Sequence, residues 1–162
     1  MPIELSEKEV LPIADFRNKV QEFEEAMCQI PGAHRGDWDK CPLKHTFADG
    51  IYVREIFMPK GTLIVSKIHK ASHPYFVLSG DLSVLTEEGE VRIVAPYSGI
   101  TPAGTKRVLY IHEDTTWITI HLNLTNTKNL EELEEDIIAK SFDELPEGKR
   151  EDVLELTSED KL

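Results

Sequence analysis

Between residues 50 and 122 one short pattern recurs so often that few folds can accommodate it. Runs rich in β-branched and aromatic residues occupy 51–57, 62–70, 74–78, 81–86, 91–94, 107–111 and 115–122. Such side chains suit the pleated, half-buried surface of a sheet. Pro59-Lys60-Gly61, Ser79-Gly80, Glu88-Gly89, Ser98-Gly99, Pro102-Ala103-Gly104 and His112-Glu113-Asp114 lie between them and carry turn chemistry. Seven short, closely spaced strands predict an antiparallel sandwich or barrel.

The flanks follow a different period. Phe16, Val20, Phe23, Met27 and Ile30 recur at three- and four-residue steps, with Arg17, Glu22, Glu24 and Glu25 on other faces. This pattern predicts a helix over 13–30 that packs through its apolar stripe and stops at Pro31-Gly32. Ser6 and Glu9 have the spacing of a capping box at a short helix start. After Asn126 the helical period returns, with Leu130, Leu133, Ile137 and Ile138 on one face, and beyond residue 142 the chain is polar, acidic and expected to be loose. The 162 residues therefore divide into a helical extension (1–43), a β-barrel domain (44–125) and an acidic helical tail (126–162).

Charge is unevenly spread along these segments. The net charge of −12 resolves into −4 over 1–43, +2 over 44–112 and −10 over 113–162. So acidic a surface repels nucleic acid, which excludes extended DNA or RNA binding. The cationic side chains gather in the middle of the chain, where chemistry is to be sought. No run reaches the length of a membrane span, and the first residues lack the basic-then-apolar pattern of a signal peptide. A cytoplasmic protein with Cys28 and Cys41 as reduced thiols is expected.

Two stretches carry a family resemblance. Gly61 is followed by Lys67-Ile68-His69, then by His73 and Gly80, and a second stretch reads Pro102-Ala103-Gly104-Thr105-Lys106-Arg107. The glycine, proline and strand spacings resemble the two signature motifs of the cupin superfamily, over about 65 of the 162 residues. The resemblance implies a mainly β fold, an antiparallel jelly-roll β-barrel, and a homodimer. The blocks 50–70 and 104–121 are also similar to uncharacterised cupin-like proteins of bacteriophage and prophage genomes. In metal-binding cupins the ligand positions correspond here to Lys67, His69, His73 and Arg107. Arg never deprotonates, Lys rarely does, and two cations repel a metal ion. No metal is therefore favoured; the alternative is Fe, Mn, Ni or Zn on His69, His73 and His121.

Strand alternation places Lys67 and His69 on one face, and His73, Tyr75 and Val77 on another. In the cupin register these faces point inward with Arg107. Lys67, His69, His73, Tyr75 and Arg107 would then line a pocket, with Arg54 and His121 as further candidates. Buried cations need partners, and those strands supply no acid. The favoured function is binding of a small anionic metabolite of phosphate or nucleotide type, as in a phage-encoded sequestering protein. One alternative is a cupin enzyme: a metal-free sugar-nucleotide isomerase or epimerase with His69 or His73 as base and Tyr75 as acid, or a metal-dependent oxygenase or isomerase. Another is a virion structural or assembly protein. His112, Glu113 and Asp114 are expected to form a hairpin turn, and His45 to pack in a loop leading into the barrel.

Overall fold

The computed structural model describes residues 13–145. The Ser6-to-Glu9 capping box and the acidic segment 146–162 lie outside the described residues. The elements in chain order are helix α1 (Ile13–Cys28) and strands β1 (Leu43–Ala48), β2 (Ile51–Met58), β3 (Leu63–Val65), β4 (Ile68–His69), β5 (His73–Thr86), β6 (Gly89–Val94), β7 (Tyr97–Thr101) and β8 (Val108–Leu122). Helix α2 (Leu130–Ile137), strand β9 (Ile138–Ala139) and a single 3-10 turn (Phe142–Glu144) follow.

Strands β5 and β8 form the spine, paired antiparallel from Tyr75 opposite Thr119 to Leu85 opposite Val108. Each half of the spine has its own flanking strands. Around residues 73–77 of β5, β7 pairs on one side, while β2 and then β1 extend from the 115–122 half of β8. Around residues 81–86, β6 pairs with β5 and β3 with the 108–110 half of β8. Tyr75, Val77, Met58 and Trp117 from one half share a single core with Leu82, Val84, Ile93, Leu109 and Ile111 from the other. The two half-sheets thus face each other, giving the expected antiparallel jelly roll.

Two segments read as turns lie inside these long strands. Ser79-Gly80 and His112-Glu113-Asp114 mark the place where the β5–β8 register slips, between Val77 and Leu82. The slip moves the buried set of β5 from odd to even positions (His73, Tyr75 and Val77, then Leu82 and Val84), while β8 keeps its odd residues inside. This bulged stretch, with three register shifts between Val77 and Leu82, lets a single strand serve both half-sheets. Strand β1 was not expected at all, and Ser98-Gly99 lies within β7.

Helix α1 is anchored by its first half. Phe16 and Val20 are buried, but Phe23 is 39% exposed and Ile30 60%. The expected stripe over 13–30 is therefore only partly core, and the helix ends at Cys28, two residues before Ile30. Ion pairs hold it elsewhere: Arg17 Nε lies 3.3 Å from Glu87, and Lys106 is paired with Glu24. At the other end Asn129 caps α2, its Oδ1 accepting from the Glu131 amide at 3.0 Å. Leu133 is buried, and Ile68, Ala139 and Leu145 form a second small core. Residues 130–145 thus lie against the barrel. Among the described residues no helix is long and apolar enough to cross a membrane.

Gly80 is the tightest point of the spine. Its φ is +107°, and a Cβ there would lie 2.1 Å from Thr115 Oγ1 and 2.6 Å from the Thr115 Cα. Neither the left-handed backbone nor the clash can be relieved by rotating one side chain. Gly80→Ala is expected to cost about 3 kcal/mol or more, read as a lower urea midpoint, whereas Gly89→Ala, which meets no atom within 4 Å, costs less.

Candidate functional site

A cavity of about 920 Å³ opens between the inner faces of β2 and β8 and the segment preceding β1. At one end three elements bring histidines together: β4 carries His69, the start of β5 His73, and the end of β8 His121. Their ring centroids lie 4.3 Å (His69–His73), 4.6 Å (His73–His121) and 5.4 Å (His69–His121) apart. One nitrogen from each lies within 4.8 Å of the other two. His73 Nδ1 is 3.2 Å from the Ala71 carbonyl oxygen. That oxygen can only accept, so Nδ1 carries the proton and the Nε2 lone pair is free. His121 Nε2 is 2.9 Å from Thr119 Oγ1.

All three imidazoles are held neutral. Burial, then the other two histidines, then Arg54 and Arg107 push His69 down to about 2. Burial, His73 and Arg54 push His121 down to about 3. His73 is lowered by burial and by Arg107, against the opposing effect of the Ala71 carbonyl. Three neutral imidazoles with a nitrogen each within 4.8 Å of the other two form a candidate donor set for a divalent metal ion.

Arg107 occupies the wall beside them. It is 8% exposed. Its backbone is clamped to Ser66, donating N–H to Ser66 Oγ at 2.9 Å and accepting from the Ser66 amide at 2.8 Å. The guanidinium carbon lies 5.3 Å from the centroid of Tyr75, and Tyr75 stacks on Trp117 at 4.5 Å. Arg107 Nε is buried with no hydrogen-bond partner, and no carboxylate among the described residues pairs with the guanidinium. Arg54 lies on β2 opposite Thr119, between the Tyr52–His121 and Ile56–Trp117 pairs. Its guanidinium also makes no ion pair among the described residues.

Several sequence-derived residues thus meet at one place: His69, His73, His121, Arg54 and Arg107. Lys67 does not join them inside. Strand β3 stops at Val65 and β4 begins at Ile68, so alternation does not carry through Lys67, which is exposed at the cavity mouth. Its ammonium is paired with Glu134 of α2, an acid far along the chain from the barrel strands. Tyr75 presents its ring to Arg107, while its hydroxyl lies beside Gly99, where a Cβ would be 2.8 Å from it. Burial pushes that phenol up to about 12. Its ring thus serves as a platform for the guanidinium. His112 points away from the cavity, 2.8 Å from Ser83 Oγ, in the middle of β8 rather than in a hairpin turn.

Two cavity residues were missed from sequence. His45 lies on β1, not in a loop, and its Nδ1 is 2.7 Å from the Tyr52 hydroxyl. The alternation of Leu43, His45 and Phe47 was the available signal. Trp38 lines the cavity from the segment before β1, with His34 stacked on it at 6.0 Å and Lys40 Nζ 5.1 Å from its ring. Nothing in its local spacing marks it. Both cysteines are free thiols, and burial pushes the Cys41 thiol up.

No protein-family profile matches the chain, and no curated protein does. Solved structures similar to it include a cupin superfamily protein from Desulfitobacterium hafniense, at 11% identity over 55% of this chain and 83% of that one, with a TM-score of 0.45. The DMSP lyase DddQ from Ruegeria pomeroyi is 18% identical over 59% of this chain and 54% of that one, TM-score 0.48. The Cnp3 cupin domain of Schizosaccharomyces pombe is 17% identical over 63% and 71%, TM-score 0.46. Cupins, the family whose motifs the sequence resembles, are thus among the similar structures. The jelly roll itself rests on the strand pairing of this chain.

The neutral histidines set a pH dependence for the chelator-treated protein. Above their unfolded value of about 6.5 the imidazoles are neutral in both states. Below it the unfolded chain takes up protons that the folded cluster refuses, so stability falls as pH drops, down to the folded values of about 3 for His121 and 2 for His69. The expected slope is up to about 1.4 kcal/mol per pH unit per imidazole. Urea midpoints measured from pH 7 to 4.5 should fall less steeply in His121→Asn; equal slopes would mean that the cluster does not titrate in this way.

Proposed function

We propose that the cavity binds a small anion, with Arg107 and Arg54 as its cationic anchors, and that His69, His73 and His121 hold a divalent metal ion beside it. The observation that carries this reading is the buried Arg107 guanidinium, which has no carboxylate partner among the described residues. A buried unpaired cation costs several kcal/mol, and the neutral histidines and Arg54 around it offer no compensation. An anion on the two guanidiniums supplies it, with arginine giving the planar fork that carboxylates and phosphates fit.

The three nitrogens fit a metal by their chemistry: neutral and within 4.8 Å of one another. The main objection from sequence was two cations at ligand positions. Lys67 lies at the mouth on Glu134, and His121 supplies the third nitrogen instead. When bound, the metal supplies a Lewis acid with open coordination positions. The residues of the chain do the rest. His73 is oriented by the Ala71 carbonyl, Arg107 is fixed by Ser66 and Tyr75, and burial, helped by Arg54 and Arg107, keeps the imidazoles unprotonated. A metal ion beside two guanidiniums increases the demand for an anion, so the two ligands should favour each other. A nucleotide sequestered from signalling presents the same charge, and nucleotides belong in the screen.

Elemental analysis of untagged protein should return Fe, Mn, Ni or Zn approaching one per chain, lost in His69→Ala. Thermal shifts with phosphate, small carboxylates and nucleotides should show stabilisation. Arg107→Ala should weaken anion binding by about 30-fold or more. Anion should tighten metal binding by the same factor by which metal tightens anion binding. Metal-free protein that also ignores every anion would sink this reading.

A further inference from the structure

The cavity has two chemically distinct poles, and their spacing says what kind of anion it takes. Along β2 the inward residues run Tyr52, Arg54, Ile56, Met58, and their partners on β8 run His121, Thr119, Trp117, Thr115. Both strands change character at the same step; Thr115, beyond it, does not line the cavity, and its hydroxyl donates to the Glu113 carbonyl at 2.7 Å. Tyr52, His121, Arg54 and Thr119 are polar, whereas Ile56, Trp117 and Met58 are apolar apart from the indole N–H. The opposite wall continues the apolar pole with Ile64 and Leu109, a cross-strand pair, and Trp38 closes it from the segment before β1. Two residues along a strand span about 7 Å. The apolar pole therefore starts about 7 Å from the Arg54 guanidinium attachment, the reach of a phenyl ring or a short alkyl chain.

A bare phosphate or acetate would leave most of the cavity of about 920 Å³ to water held against apolar walls. A sugar or other polyhydroxylated body would place its hydroxyls against Ile56, Ile64 and Leu109, which offer no hydrogen-bond partner. We infer that the ligand is an amphiphilic organic acid: an anionic head on Arg107 and Arg54, joined to an aryl or short alkyl body lying between Trp38, Trp117, Ile56 and Ile64. This inference rests on the anion reading above and adds the class of the anion's body. Carboxylate and phosphate heads suit the guanidiniums alike, so the body is the discriminating part.

The chain contains two tryptophans, Trp38 and Trp117, and both line this cavity, so intrinsic fluorescence reports on the pole directly. The purified full-length protein is titrated with acetate, butanoate, hexanoate and octanoate, with phenylacetate and phenyl phosphate, and with inorganic phosphate and glucose 6-phosphate. The affinity should rise about fourfold per added methylene up to about six to eight carbons, with tryptophan emission shifting as the body seats. Phenyl phosphate should bind more tightly than inorganic phosphate or glucose 6-phosphate. Ile64→Ser should flatten the dependence on chain length, while Arg107→Gln should lower all members by one common factor. Trp38→Phe keeps Trp117 as a lone reporter if the first variant fails to fold. If acetate and phosphate bind as tightly as hexanoate and phenyl phosphate, or glucose 6-phosphate binds best, the amphiphile is wrong and the anion site stands. If no member of either set binds, both readings fall together.

Discussion

Strands β5 and β8 pair along most of their lengths, and nearly every other strand hangs on that pairing. β2 and β3 share the free edge of β8, and β6 and β7 share that of β5. A continuous flat ladder of fourteen or fifteen residues would expose one apolar face over its whole span. The register slip around Gly80 removes that problem. It changes which face of β5 is inward, and it brings the Gly80 Cα against Thr115, which is fully buried. The two halves can then close over one core. The same closure leaves the 73–77 and 115–122 halves with an inner face only partly filled by apolar side chains, and the histidines and arginines stand there.

Within that space the charge balance is unusual for an acidic protein. Two acids of the helices meet lysines of the barrel: Glu24 takes Lys106 and Glu134 takes Lys67. Among the described residues Arg107 and Arg54 have no acid partner. Burial above all, with the guanidiniums adding to it, disfavours protonation of the imidazoles, so the cluster stays a set of lone-pair donors well below neutral pH. Cations at one distance and neutral donors at another are complementary to a negative group that reaches both.

Much of this was legible from residue spacing. The strand-rich stretch and its antiparallel class follow from glycine, proline and β-branched positions, and the meeting of His69, His73 and Arg107 is what the resemblance to the cupin motifs implies. Arg54 and His121 follow from alternation along uninterrupted strands. The failures share one physical cause: local signals describe what the backbone needs, not where the chain goes next. Ser79-Gly80 and His112-Glu113-Asp114 hold residues suited to irregular backbone, and both a reversal and a bulge use them. Lys67 was placed inward because alternation was carried across a break between β3 and β4. Its partner, Glu134, is 67 residues away, and no local pattern could announce it. Helix α1 shows the same limit, since periodicity marked five apolar positions and only tertiary contact decides that Phe16 and Val20 are covered while Phe23 is not.

Strand β4 is two residues long, and among the described residues its ladder partner is β9. Lys70 is tied to the same stretch, its ammonium donating to the Glu135 carbonyl and its backbone N–H to the Ile137 carbonyl at 2.8 Å. His69 is thus pinned by chain that lies beyond the jelly roll. On the ribosome the spine and its flanking strands have all been synthesised once residue 122 has been added, and folding there proceeds from the amino-terminal side. The strand carrying His69 gains its partner only after residue 139 has followed. In chain order, then, the strands of the container are complete before the segment that holds His69 in its place, and translation sets the order in which container and contents become possible.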